Sequence, residues 1–349
     1  MPAYRPDSHQ GAPLPALAPL LALALLLAWL PARAEDFSFP GKLPAPCSAN
    51  SSGTYLCTSL TLAPGDTISI GAATTITVSG ALKTGRLSRI NPGASPTRLN
   101  LVVIGTTSLG DDAILHANLS GGGAITTGAH SSVVGALKTD SAAINTGEFS
   151  SITGAITSTI AGVVTIGADS NVVGNITTTS GAINIGARSV IDGSLTSLLA
   201  GAITVGASAR VIGSVATTYH GSDVGAGAIT LEYNVEVGGA VATHTGAITS
   251  GARSQVSGSV SSNDGAITVG DRTDVGGNIE TALAGAITVG NLSRVAGVVT
   301  VRGAGARTVA TDARTGSMIG STCGAATPRL TPPAPFRIKA RQWRQLFMR

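Results

Sequence analysis

Aromatic residues make up 3% of this chain and charged residues 11%. So few aromatics leave no stacking platform for single-stranded nucleic acid and little of the bulky filling of an ordinary enzyme core. Scarce charge would suit a disordered segment if apolar residues were scarce too, but 43% of the residues are hydrophobic, largely Ile, Val, Leu and Ala. The chain therefore folds. Its three cysteines lack histidine partners at ligand spacing, so they make no zinc site. The five histidines (His9, His116, His130, His220 and His244) are scattered and read as solvated surface groups. Asp169, Asp192, Asp271 and Asp274 stand singly at turn-like places, where a short carboxylate bonds to local backbone. No carboxylate pair meets the need of a glycosidase, and the calcium-binding nonapeptide is missing. The expectation is a chain with no catalytic group, no cofactor and no metal.

The formal net charge is +4, but Arg337, Lys339, Arg341, Arg344 and Arg349 at the C-terminus carry that excess. The body between leader and tail is slightly acidic, which excludes a nucleic-acid footprint. At the other end, Arg5 precedes the apolar run "APLLALALLLAWL" from Ala18 to Leu30, and "PARA" ends at Ala34. This pattern predicts a signal peptide over 1–34, cut before Glu35. The run is shorter than the roughly 20 residues of a spanning helix. Export to the periplasm, the outer-membrane surface or the extracellular space follows. There Cys47 and Cys57, ten residues apart, can be oxidised to close a small loop. Cys323 is left over, as a free or an intermolecular thiol.

What the chain has in abundance is glycine, 46 residues, and repetition. The phrase "GAITVGASARVIGSV" at Gly201 to Val215 has relatives starting at Gly123, Ala142, Gly162, Gly181, Gly227, Gly246, Gly265 and Gly285. The spacing is 19 or 20 residues except for 26 across the coil that holds "YHGSDVGA", Tyr219 to Ala226. A fixed period of this length signals a solenoid. Three columns are aliphatic in all nine copies, exemplified by Ile203, Val211 and Val215, and the local alternation around them has period 2. That indicates short strands, about three per coil. The expected fold is all-β, a single-stranded parallel β-helix with coils of about 19–20 residues. Nine coils at a strand spacing near 4.8 Å would make a rod of roughly 40 Å. Each coil buries three or four aliphatic side chains, too few to fold alone, so stability comes from stacking.

Glycine fills the position between the two valine columns in all nine copies, as at Gly213, where a tight bend or close backbone approach excludes a Cβ. A second glycine column, five residues after each start, is broken by Glu232 alone and is expected to end the first strand in a turn. The chain then divides into the leader, an N-terminal cap with first coils over 35–122, regular repeats over 123–303, the solenoid's end over 304–326, and a Pro-rich linker with a basic tail over 327–349.

Two surfaces are candidates for binding. Three residues after each start stand Thr126, Asn145, Thr165, Asn184, Thr204, Thr230, Thr249, Thr268 and Thr288, a ladder on one outward face. It could order water and bind ice, or simply reflect the strand propensity of threonine. In the tail, Arg337, Lys339, Arg341, Trp343, Arg344 and Phe347 suit an acidic membrane surface or a partner, or form a solvated terminus.

Two family resemblances attach to these segments. "FPGKLPAPCSANSSGTYLCTSLTLAPGDTISI", "TITVSGALKTGRLSRINPGA" and "LNLVVIGTTSLG", spanning Phe39 to Leu119, are similar to the N-terminal region of MshQ-like proteins of MSHA-type pilus biogenesis. The coils from Gly123 to Val301, with "GAITVGA" and "VxGxV", resemble bactofilins in general pattern. The repeat phrase is also similar to that of ice-binding adhesin domains. The first resemblance implies an envelope or pilus partner. The second implies a β-helix that polymerises end to end without nucleotide. The expectation is an exported, non-enzymatic structural or adhesive component of a bacterial envelope that self-associates end to end. The alternative is a module recognising glycan, ice or a pilin through the Thr/Asn face.

Overall fold

The computed structural model describes residues 34–217 and 227–319. The protein is a parallel β-solenoid with no α-helix among the described residues and one short 3-10 turn, Pro96–Arg98. Each coil lays one strand on each of three faces. The first face is a sheet of 13 strands, from Leu60–Leu62 to Arg307–Val309, so the rod has about 13 coils. At a strand spacing near 4.8 Å it is roughly 60 Å long. The nine regular repeats are thus continued by three coils before them and one after, all in register. The second and third faces count as one 27-stranded sheet because the eight-residue strand Arg294–Val301 runs across the corner between them.

Register explains the columns. Ile203 pairs with Ile183 behind and Ile229 ahead on the first face. Val211 pairs with Ile191 and Val237 on the second, and Val215 with Leu195 and Val241 on the third. All of these side chains are buried. A fourth inward position lies two residues after the first; Ile166, Ile185, Val205, Leu231, Val269 and Val289 fill it, while Thr127, Thr146 and Ser250 fill it elsewhere. The segment 218–226 interrupts none of this, since Val205 pairs with Leu231 and Val215 with Val241 across it.

The core also contains two ladders of buried hydroxyls. One turn carries Ser131, Ser150, Ser170, Ser189, Ser254, Thr273 and Ser293, and the corner after the third face carries Ser or Thr from Thr139 to Thr281. The Ser170 Oγ accepts from the Ser150 amide at 3.1 Å and donates to the Gly147 carbonyl at 3.2 Å. At the other corner, Ser262 accepts from the Gly265 amide at 2.7 Å and Thr217 donates to the Gly227 carbonyl at 3.0 Å. A small hydroxyl can satisfy backbone groups at a corner where no strand partner reaches them.

The glycines act mainly through proximity. A Cβ on Gly258 would meet the Gly239 carbonyl oxygen at 2.7 Å, as expected for the column between the valines. The second glycine column ends the first strand at a turn, as expected, and it too acts through proximity. Its backbone is not left-handed; a Cβ on Gly186 would instead lie 2.5 Å from the Ala168 nitrogen of the preceding coil. The left-handed residue of that turn comes two positions later and is never glycine: His130, Phe149, Asp169, Arg188, Ser208, Asn234, Arg253, Arg272 and Leu292 all have φ between 55° and 60°. The conformation costs each about 1–2 kcal/mol. It persists because it delivers the residue's amide to the next coil, as from Arg188 to Ala207 O at 2.9 Å.

The two ends differ. At the N-terminal end, Asp36–Phe39 pairs with Thr67–Ile70, and an antiparallel hairpin, Cys47–Ser51 with Thr54–Cys57, lies over the third face. A Cys47–Cys57 disulfide closes the hairpin, and Phe39 packs edge-on against Tyr55 at 4.8 Å between ring centroids. At the C-terminal end, the last described coil carries Arg307 where the column has Ile287, and Thr315 where it has Val295. The Arg307 guanidinium reaches across the end of the core to the Val299 carbonyl at 3.3 Å.

Candidate interaction faces

The first face gathers the Thr/Asn ladder into one line. Successive residues from Thr126 through Thr288 are direct register partners, and the line continues to Ser108 at one end and Thr308 at the other. Inward neighbours on both sides of each rung are buried, which turns every rung to solvent. The position two residues before each rung is alanine in eight of the nine copies, with Val163 the exception, so the face beside the ladder is low and even. Lys83 follows Ser108 in the line and interrupts its run of hydroxyls before Thr61. This row of hydroxyls and two amides has fixed spacing and one orientation. Chemically it can donate and accept hydrogen bonds along a repeating partner.

The left-handed corner is a second linear array, and sequence reasoning missed it because no residue type recurs there. His130 stacks on Phe149 with ring centroids 5.1 Å apart, and Arg253 lies 5.6 Å from the Tyr233 ring centre. The Arg188 Nε donates to Asp169 Oδ1 at 2.7 Å. This guanidinium holds the Asp169 carboxyl below its ordinary range chiefly through its hydrogen bond; burial opposes the shift, and the attraction of the Arg188 charge adds a smaller contribution to it. Arg188 is raised in turn by Asp169.

Other predicted groups are placed differently from expectation. Asp169 and Asp271 do not bond to local backbone: Asp169 pairs with Arg188, and Asp271 Oδ1 accepts from the Asn291 amide at 2.7 Å, both in the following coil. The reason is distance, because the residue stacked one coil away is nearer than the rest of the turn. Nor is His116 simply solvated; it is half-buried with its Nδ1 3.2 Å from the Ala94 carbonyl. His244 Nδ1 is 2.7 Å from Asn263 Nδ2. No group of three or more His, Cys, Asp and Glu side chains converges among the described residues. Cys323, His9, His220 and the tail residues Arg337, Lys339, Arg341, Trp343, Arg344 and Phe347 lie outside the described residues, as does 1–33 of the leader.

Fold and faces together define a three-faced parallel β-solenoid. Comparison with protein-family models, with curated proteins and with solved structures finds no match to this chain.

Proposed function

We propose that the chain is an exported structural or adhesive rod of the bacterial cell envelope that acts through its long sides and has no catalytic activity. The unbroken Thr/Asn ladder supports this reading: it runs from Thr126 to Thr288 along one face of a rigid core. Rungs at a strand spacing of about 4.8 Å suit a partner that also repeats, such as a glycan chain, ice or the surface of a pilus. The similarity of Phe39 to Leu119 to MshQ-like proteins favours a pilus or envelope setting. Replacing Thr204, Thr230 and Thr249 together by Lys places three like charges in line. The triple variant is expected to lose retention on polysaccharide, ice or purified pili while keeping the rod length seen by electron microscopy. Equal retention of variant and parent on every matrix that holds the parent would sink the reading.

End-to-end self-association is the second reading, and one observation favours it. The outward register column that begins at Asp36 runs coil by coil to Arg314. A second copy stacked in register would set these opposite charges side by side. Against it stands Arg307, a charge at the end of the core. Negative-stain microscopy of residues 35–349 over a range of concentrations separates the two. Uniform short rods are expected for action through the sides; filaments would favour end-to-end assembly, and their loss on reduction would implicate Cys323.

A further inference from the structure

The serine ladder ends toward the N-terminus in a carboxylate. The residue before Thr67 is Asp66, and the residues stacked on it in the next coils are Ser88, Ala113 and Ser131. Asp66 is 4% exposed and is the one buried carboxylate among the described residues. Its Oδ2 accepts from the Ala63 amide and its Oδ1 from the Glu35 nitrogen, each at 2.7 Å. Elsewhere in the ladder a neutral hydroxyl suffices to bond an amide, as Ser170 does for Ser150. Burying a carboxylate against neutral amides alone carries a desolvation penalty that a serine avoids. A cation at the Glu35 nitrogen would offset it.

Glu35 is also the first residue after "PARA", where the body of the chain begins. We propose that Asp66 is the receptor for the α-ammonium group created at Glu35 when the leader is removed. The proposal rests on the exported reading and its cut before Glu35. Cleavage is hydrolysis by a protease of the signal-peptidase class. Water supplies a hydroxyl to the Ala34 carbonyl carbon and a hydrogen to the Glu35 nitrogen as the C–N bond breaks. At neutral pH the products are a carboxylate and an ammonium. The new terminus is already positioned: the Glu35 carbonyl accepts from the Thr67 amide at 2.8 Å, and its side chain pairs with Lys42 at 2.8 Å. The ion pair then anchors strand Asp36–Phe39, and with it Phe39, which seals the end of the core. Removal of the leader thereby completes the cap.

The test compares hydrogen exchange of the Asp36–Phe39 amides in residues 35–349 carrying a free Glu35 amine with the same protein acetylated there. A second pair carries Asp66→Ser, which restores the ladder's usual residue. The free amine is expected to give about tenfold greater protection than the acetylated form, and the difference to vanish in the Asp66→Ser pair. Equal protection of free and acetylated forms with Asp66 present would overturn the proposal. N-terminal sequencing of protein recovered after export separates this failure from that of the underlying reading. Glu35 as first residue supports the cut, whereas another first residue removes the maturation step even if the isolated protein shows the lock.

Discussion

The two ends of the rod solve the same problem by opposite means. A solenoid end exposes core and unpaired strand edges, which invite another chain. At the N-terminal end the solution is cover: an antiparallel hairpin, a disulfide, an aromatic pair and a buried carboxylate close over the first coil. At the C-terminal end the last described coil keeps its strands and changes its inward residues, setting Arg307 and Thr315 where isoleucine and valine stand one coil earlier. Cover adds contacts, whereas an inward charge mainly makes docking costly. The N-terminal end should therefore hold much of the rod's local stability, and the C-terminal end most of its resistance to association.

The largest effect expected from breaking this contrast is a change of assembly state. Arg307→Ile with Thr315→Val in residues 35–349 extends the apolar columns to the end of the rod. The double variant is expected to pair end against end about a two-fold axis. It should stop at dimers, because the N-terminal ends remain covered. Sedimentation velocity at several concentrations checks this. A variant that stays monomeric would show that the inward charge is not what keeps the end single.

At the other end the effects fall on stability. Phe39→Ala removes a fully buried ring and is expected to cost about 3–5 kcal/mol, confined to the first coils because each coil contacts only its neighbours. Hydrogen exchange should show lost protection for Asp36–Phe39 and Thr67–Ile70 with no change in the middle of the rod. Cys47→Ser with Cys57→Ser should follow at roughly 2–3 kcal/mol, since the loop closed is short. Comparison of that pair with the reduced parent separates loss of the bond from the change of side chain. Uniform loss along the rod in either case would mean that the coils unfold as one unit.

Much of this architecture was legible because the columns at Ile203, Val211 and Val215 tolerate one kind of side chain and sit at a fixed period. The Thr/Asn ladder was legible from alternation with them. What stayed hidden depends on stacking. The fourth inward position mixes Val205 with Thr127 and Ser250, so no column announces itself. The left-handed corner selects backbone geometry and accepts Phe149, Asp169 and Arg188 alike. Asp271 looked like a turn residue because its partner, the Asn291 amide, is 20 positions away in sequence and one coil away in space. The C-terminal end did carry a usable sign: "GARTV" from Gly305 to Val309 aligns with "GAITV" and puts Arg307 in the isoleucine column.

The smallest effect is expected midway between the ends, at the Asp169–Arg188 pair, which tests whether the exposed corner contributes to holding the coils together. The carboxyl is held below its ordinary range, so any stability it lends is present above that range and is lost as pH falls through the depressed folded value. Both partners lie at the rod's surface, where water and salt screen the attraction. Asp169→Asn should therefore leave the unfolding midpoint at neutral pH unchanged within error, and carboxyl NMR of the parent should titrate below the ordinary aspartate range. A clear loss of stability in the variant would mean that pairs along this corner act together with the backbone bonds beneath them, such as that from the Asp169 amide to Ala187 O at 2.9 Å. The middle of the rod would then depend on its outer corner as the N-terminal end depends on its cover.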